Sequence, residues 1–179
     1  MLCVALPVWG EPRSYALDTA ASSVSFTYFL NGAPGKGTMP VRTADLDIDF
    51  SDLSQSTAFV ELDVAGSQTS AVFVTQALKG PDVLDVAAHP TVTFRSRSAQ
   101  GSIAEGVDIT GDVTIRGVTR PMVLTARIFR PQGSDTADLS RLVVFIEGAI
   151  NRSDFGASGY SGFVDDRVEL DIRATISER

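Results

Sequence analysis

A period-two alternation of polar and apolar residues returns along this chain and limits what it can fold into. Asp45, Asp47 and Asp49 alternate with Leu46, Ile48 and Phe50, and Arg167, Glu169, Asp171 and Arg173 with Val168, Leu170, Ile172 and Ala174. Successive side chains of a strand point to opposite faces, so each run is a strand with one wet and one apolar face. The pattern predicts eight strands, over 22–30, 37–50, 56–64, 91–99, 106–116, 119–129, 141–151 and 165–176. Separated by hairpin-length breaks, such strands make an antiparallel sandwich or a closed barrel. An eight-stranded barrel has an interior just wide enough for side chains or for one small ligand.

The exceptions are informative. Pro40 interrupts the second strand and predicts a bulge or edge position, because proline cannot donate to the ladder. The seventh strand, 142–150, is apolar on both faces, which predicts that something covers its outside. Residues 70–79 place Ala71, Val74 and Leu78 at helical spacing, with Thr69 or Ser70 to cap the start and Gly80 and Pro81 to stop it. NGAPGKG (31–37) reads as a glycine-permissive turn, and NRSDFGASGYSG (151–162) as a loop. With no repeat and no low-complexity linker, 179 residues make one domain.

Little here can do chemistry. The single histidine, His89, precedes Pro90 and reads as a half-exposed loop residue, and the usual zinc sites need several His or Cys ligands. The clusters GASG and GYSG miss the G-x-S-x-G elbow. A hydrolase built on Ser158 or Ser161 would need His89 within hydrogen-bond reach. Asp45, Asp47 and Asp49 read as a solvated strand face, since alternate strand residues do not wrap one ion. Arg95 and Arg97 share a face of the fourth strand, where they could hold an anionic headgroup, but more often such pairs are its wet side. No catalysis, cofactor or metal is therefore expected. A formal charge of −7 disfavours nucleic acid as a partner.

The start, Met1 to Gly10, is apolar and uncharged. It reads as the remnant of a signal peptide over 1–10, cut ahead of Glu11, with the barrel domain over 11–179. Removal would take away Cys3, the only cysteine, and with it any thiol or disulfide role.

YALDTAASSVSF (15–26), VLDVAAHPTVTFRS (83–96), GDVTIRGVTRPMVL (111–124) and NRSDFG (151–156) occur in an order that resembles the YceI-like family of lipid/polyisoprenoid-binding proteins. The resemblance implies an all-β fold: an eight-stranded antiparallel lipocalin-like barrel with one short inserted helix, exported to the bacterial periplasm. It also implies non-catalytic binding or transport of a long isoprenoid-like lipid inside the barrel. Many members carry a histidine near the end of the first strand and another in the helical insertion. Here those regions read YFLNGAPGKG and VFVTQALKG, so no histidine-based headgroup contact or heme- or metal-related role carries over.

The expected lipid-lining side chains are Val24, Phe26, Tyr28, Leu62, Phe94, Ile115, Leu124 and Val144 on the strands. Phe73 and Leu78 of the helix are expected to close one end. In the seventh strand Val143 and Phe145 would serve as well as Val144. Transient membrane contact and a homodimer are compatible with this reading. The competing reading is a barrel with a packed interior, acting as an envelope protein-interaction or stress module.

Overall fold

The computed structural model describes residues 12–179; the proposed signal remnant and Cys3 lie outside the described residues. Strands β1 (Arg13–Leu17), β2 (Ser23–Leu30), β3 (Ala33–Thr38), β4 (Val41–Ile48) and β5 (Thr57–Asp63) come first. The two-residue β6 (Gln68–Thr69) and helix α1 (Val72–Lys79) follow. The chain ends with β7 (Thr91–Ser102), β8 (Gly106–Ile115), β9 (Val118–Phe129), β10 (Arg141–Asn151) and β11 (Arg167–Glu178). The strands join in one antiparallel sheet, and β1 closes it by pairing with both β4 and β11.

The result is an eight-staved barrel in which two staves are bent. β1 and β2 lie end to end along β11, with Leu17 opposite Ile176 and Ser23 opposite Arg173. Between them Asp18 turns the chain: its carboxylate accepts from the amides of Ala20 and Ala21, both at 3.1 Å. Buried Thr175 pins this bend, its amide donating to Ser22 Oγ at 2.9 Å. The second stave is β3 followed by β4. Pro40 has no N–H to give: as its position predicts, it interrupts the stave, which breaks at Met39–Pro40, and the β4–β5 register shifts just beyond, between Val41 and Thr43. Ahead of the break β3 pairs with β2; beyond it β4 pairs with β1 and β5.

NGAPGKG is therefore only half a turn. Asn31 and Gly32, at φ 50° and 77°, form a two-residue hairpin turn, and Ala33 onward is strand. The later glycines make room rather than bend the chain. The Tyr28 ring lies over Gly35 and the Phe26 ring over Gly37, so closely that a Cβ on either glycine would overlap the ring.

Two further expectations change. Asp49 lies past the end of β4 and is buried; its carboxylate accepts from the Ser51 and Asp52 amides at 2.8 and 3.1 Å, so only Asp45 and Asp47 belong to the strand face. Helix α1 begins at Val72, and neither Thr69 nor Ser70 caps it: Thr69 Oγ1 instead donates to the Ala71 carbonyl at 2.8 Å.

An apolar cluster gathers where β1 meets β11. Tyr15, Leu142 and Ile176 are almost wholly buried with Val107 and Ala126, and Tyr15 Oη donates to the Leu139 carbonyl at 2.9 Å. Burial with its nearness to Glu178 pushes the Tyr15 hydroxyl above the ordinary tyrosine pKa. A second apolar cluster, with Val64, Val92, Ile115 and Phe155, packs on the far side. On the outer surface, Phe129 and Phe145 meet edge to face at 5.6 Å and stay exposed, so among the described residues nothing covers the outside of β10.

Candidate functional site: an apolar cavity and its entrance

Members of both clusters line a cavity of about 570 Å³, within the range of small-molecule sites. It follows from parity. Every second residue of a stave faces inward, and those positions are Leu, Ile, Val, Phe, Met or Ala on stave after stave. Inward-facing Leu62, Phe94, Ile109 and Leu170 are only half-buried, because the space they face is empty. The packed-interior barrel is not what this chain forms.

All ten side chains expected at the interior stand on the cavity wall. Val24, Phe26, Tyr28, Leu62, Phe94, Ile115, Leu124 and Val144 come from the staves, and Phe73 and Leu78 from α1. The ambiguity in the seventh strand resolves to Val144, at 9% exposure, with Phe145 outside at 42%. Sequence reasoning missed Phe155, Tyr160 and Phe163, which also reach the wall. All three sit in a stretch without strand alternation, so no periodic signal marked them.

Several of the polar side chains on the wall are already engaged by neighbouring groups. Ser96 Oγ accepts from the Ala58 amide at 2.8 Å, Ser56 Oγ from the Asp49 amide at 3.0 Å, and the Thr69 and Thr75 hydroxyls pair at 2.9 Å. The wall thus offers bulk apolar contact with little polar recognition. Among the described residues no group of three His, Cys, Asp or Glu comes together to hold a metal. The structure makes no hydrogen bond between His89 and either Ser158 or Ser161, so the arrangement a hydrolase would need is not assembled. Arg95 lies over the Phe59 ring at 4.7 Å, and Arg97 pairs with Asp112 at 2.6 Å.

The cavity-lining residues Phe73, Tyr160 and Phe163 are exposed, which puts the entrance at α1 and the 157–164 loop, beside the turns after α1 and the β2–β3 hairpin, and arginines hold this frame. Buried Arg152 donates to four backbone carbonyls: Asp165 at 3.0 Å, Ala157 at 2.6 Å, Gly159 at 2.7 Å and Val164 at 2.8 Å. Arg116, in the β8–β9 turn, donates to the carbonyls of Pro81 and Val83 at 2.6 and 2.9 Å. The rigid five-donor fork of arginine suits this task, and lysine would not replace it. NRSDFG is thus more than a loop: Arg152 makes it a structural device, while the Asp154 side chain is exposed and makes no hydrogen bond among the described residues. Ser153 assists by donating its hydroxyl and amide to the Asp166 carboxylate at 2.7 and 2.8 Å.

Comparison with known proteins agrees with this architecture. The structure of Burkholderia cenocepacia BcnA superposes with a TM-score of 0.79 at 20% identity, covering 89% of this chain and 99% of that one. A polyisoprenoid binding domain from Saccharophagus degradans, implicated in plant cell wall breakdown, superposes at 0.66 with 12% identity, covering 93% and 99%. At these identities the likeness is one of fold. A UPF0312 protein of Pseudomonas savastanoi pv. phaseolicola is 33% identical over 113 residues, 63% of this chain but 58% of the relative's own length. Protein YceI of Escherichia coli O17:K52:H18 is 36% identical over 95 residues, 53% of this chain and 49% of that protein. The family model described as YceI-like domain matches residues 15–176, and with that span the chain belongs to the YceI-like domain family.

Proposed function

We infer that this protein binds a long isoprenoid-like lipid in its barrel and carries or sequesters it in the bacterial periplasm, without catalysis. The observation that carries the reading is the cavity itself, about 570 Å³ with an almost wholly apolar wall. The Saccharophagus degradans neighbour, a polyisoprenoid binding domain on the same fold, supports the class of ligand. The apolar, uncharged run ahead of Glu11 supports export.

Energetics favour length over headgroup. Burying one five-carbon isoprene unit contributes on the order of 3 kcal/mol. Association costs about 4–15 kcal/mol in lost freedom. One or two units barely offset that cost, whereas several bind without a polar contact.

Mass spectrometry of an organic extract from gently purified protein tests the ligand. The expected result is a stoichiometric prenyl-type chain; a delipidated protein that takes up no such chain overturns the reading. N-terminal sequencing after cell fractionation tests the location, and intact Met1 on cytosolic material overturns the periplasmic assignment.

A further inference from the structure

Four large apolar side chains stand in solvent around the cavity entrance: Val72 at 76% exposure, Phe73 at 67%, Tyr160 at 52% and Phe163 at 62%. Single exposed apolar residues are ordinary, but a contiguous group marks a contact surface. Phe73, Tyr160 and Phe163 are exposed and also line the cavity. These three residues of the rim therefore continue the wall outward.

The parts of this rim are held together. The Asn31 amide donates to the Phe163 carbonyl at 2.7 Å, which fixes the loop to the β2–β3 hairpin. The Gly159 amide donates to the Asp82 carbonyl at 2.8 Å, which fixes the same loop to the turn after α1. Charge around the rim is mixed. Lys79 ends α1, and Lys36, whose carbonyl accepts from the Ser70 amide at 3.0 Å, lies just ahead of it. Against these stand Asp82 and Asp85 after the helix and Asp165 and Asp166 after the loop. Attraction to an anionic surface is not the main force here; apolar insertion is.

We propose that this rim docks on a lipid bilayer, with Val72, Phe73 and Phe163 entering the acyl boundary and Tyr160 at headgroup level. The proposal rests on the carrier reading and adds where the cargo enters and leaves. Continuity of rim and cavity selects the occupant. A protein or a second copy covering the rim would stopper the entrance, while a lipid surface covers it and supplies an apolar chain directly to the wall. Short amphipathic surfaces bind membranes in this shallow way, with aromatic rings at the interface.

The test is flotation of the full chain with phosphatidylcholine vesicles, with and without phosphatidylglycerol, beside mass spectrometry of the lipid extracted from the same preparation. The wild-type protein is expected to float with both vesicle types. Phe73→Ser and Phe163→Ser should each lower the partition coefficient about tenfold, and the double variant about a hundredfold. Both positions are exposed, so melting temperatures should stay near wild type. Phe145→Ser, on the outer face of β10, should leave flotation unchanged. Extractable lipid without flotation overturns the docking proposal and leaves the carrier reading standing. Flotation by a protein that yields no lipid and, once delipidated, takes up no prenyl-type chain supports docking and removes the carrier reading. Self-association abolished by Phe163→Ser, in place of vesicle binding, overturns the proposal in favour of a second copy. Flotation undiminished in the double variant also overturns it.

Discussion

At the scale of single residues, the entrance depends on side chains bonded to backbone. Arg152 has no carboxylate partner among its four short contacts; it satisfies carbonyls of a loop that has little regular structure to satisfy them. Arg152→Ala leaves those carbonyls short of donors and is expected to cost about 3 kcal/mol in a urea titration. Arg152→Lys should recover little of it. Asp154→Ala should stay within about 0.5 kcal/mol, as for an ordinary surface change. Acid sensitivity should trace to Asp166. The Ser153 hydroxyl holds the Asp166 carboxyl below the usual range, against the opposing effect of desolvation and with lesser help from the Ser153 amide and the Arg152 charge. A carboxyl lowered in the folded state stabilises it above the unfolded pKa, near 4, and that stability is lost as pH falls through the folded pKa. Asp166→Asn should therefore flatten stability against pH below about pH 4, measured by thermal melts. Part of the slope should persist, because Asp49 is lowered in the same sense, chiefly by the Ser51 hydroxyl.

At the scale of elements, legibility followed the length of the alternation. β5 and β7 to β11 stand within a few residues of where period two puts them, since each is long enough to show a face. β1, RSYAL, has only five residues and is held by ladders to strands far along the chain, so nothing local announces it. β3 was hidden by its glycines, which usually signal a turn; here they admit the Phe26 and Tyr28 rings against the backbone. The cavity-facing rows were readable because parity assigns them. The arginine clamps were not, because a contact from Arg116 to the Pro81 carbonyl leaves no pattern in either segment. The ring-over-glycine packing can be tested. Gly37→Ala should drive the Phe26 ring into the cavity, costing about 1–3 kcal/mol of stability as overpacking does. It should also reduce the lipid retained per mole of protein, measured by extraction and mass spectrometry.

At the scale of the whole molecule, an unfilled interior is a stability deficit accepted for capacity. Empty apolar space forfeits dispersion contacts along its whole lining. Leu62→Phe, which adds bulk to the wall, should therefore hold or raise the melting temperature of delipidated protein while lowering lipid retention. A loss of both would mean that the site cannot accept the larger ring. The seam of the barrel has a consequence for how the chain folds. β1 closes on β11, and at that seam Arg13 meets Glu178 across 165 positions of sequence. Joining segments so far apart is slow, because chain entropy opposes closure until distant contacts form. Until then the sheet is an open trough with its apolar face in water, and a prenyl chain lying in that trough would be enclosed as the seam zips. Refolding from urea should then be faster and cleaner with the lipid present, as if the cargo were a template around which its container is assembled.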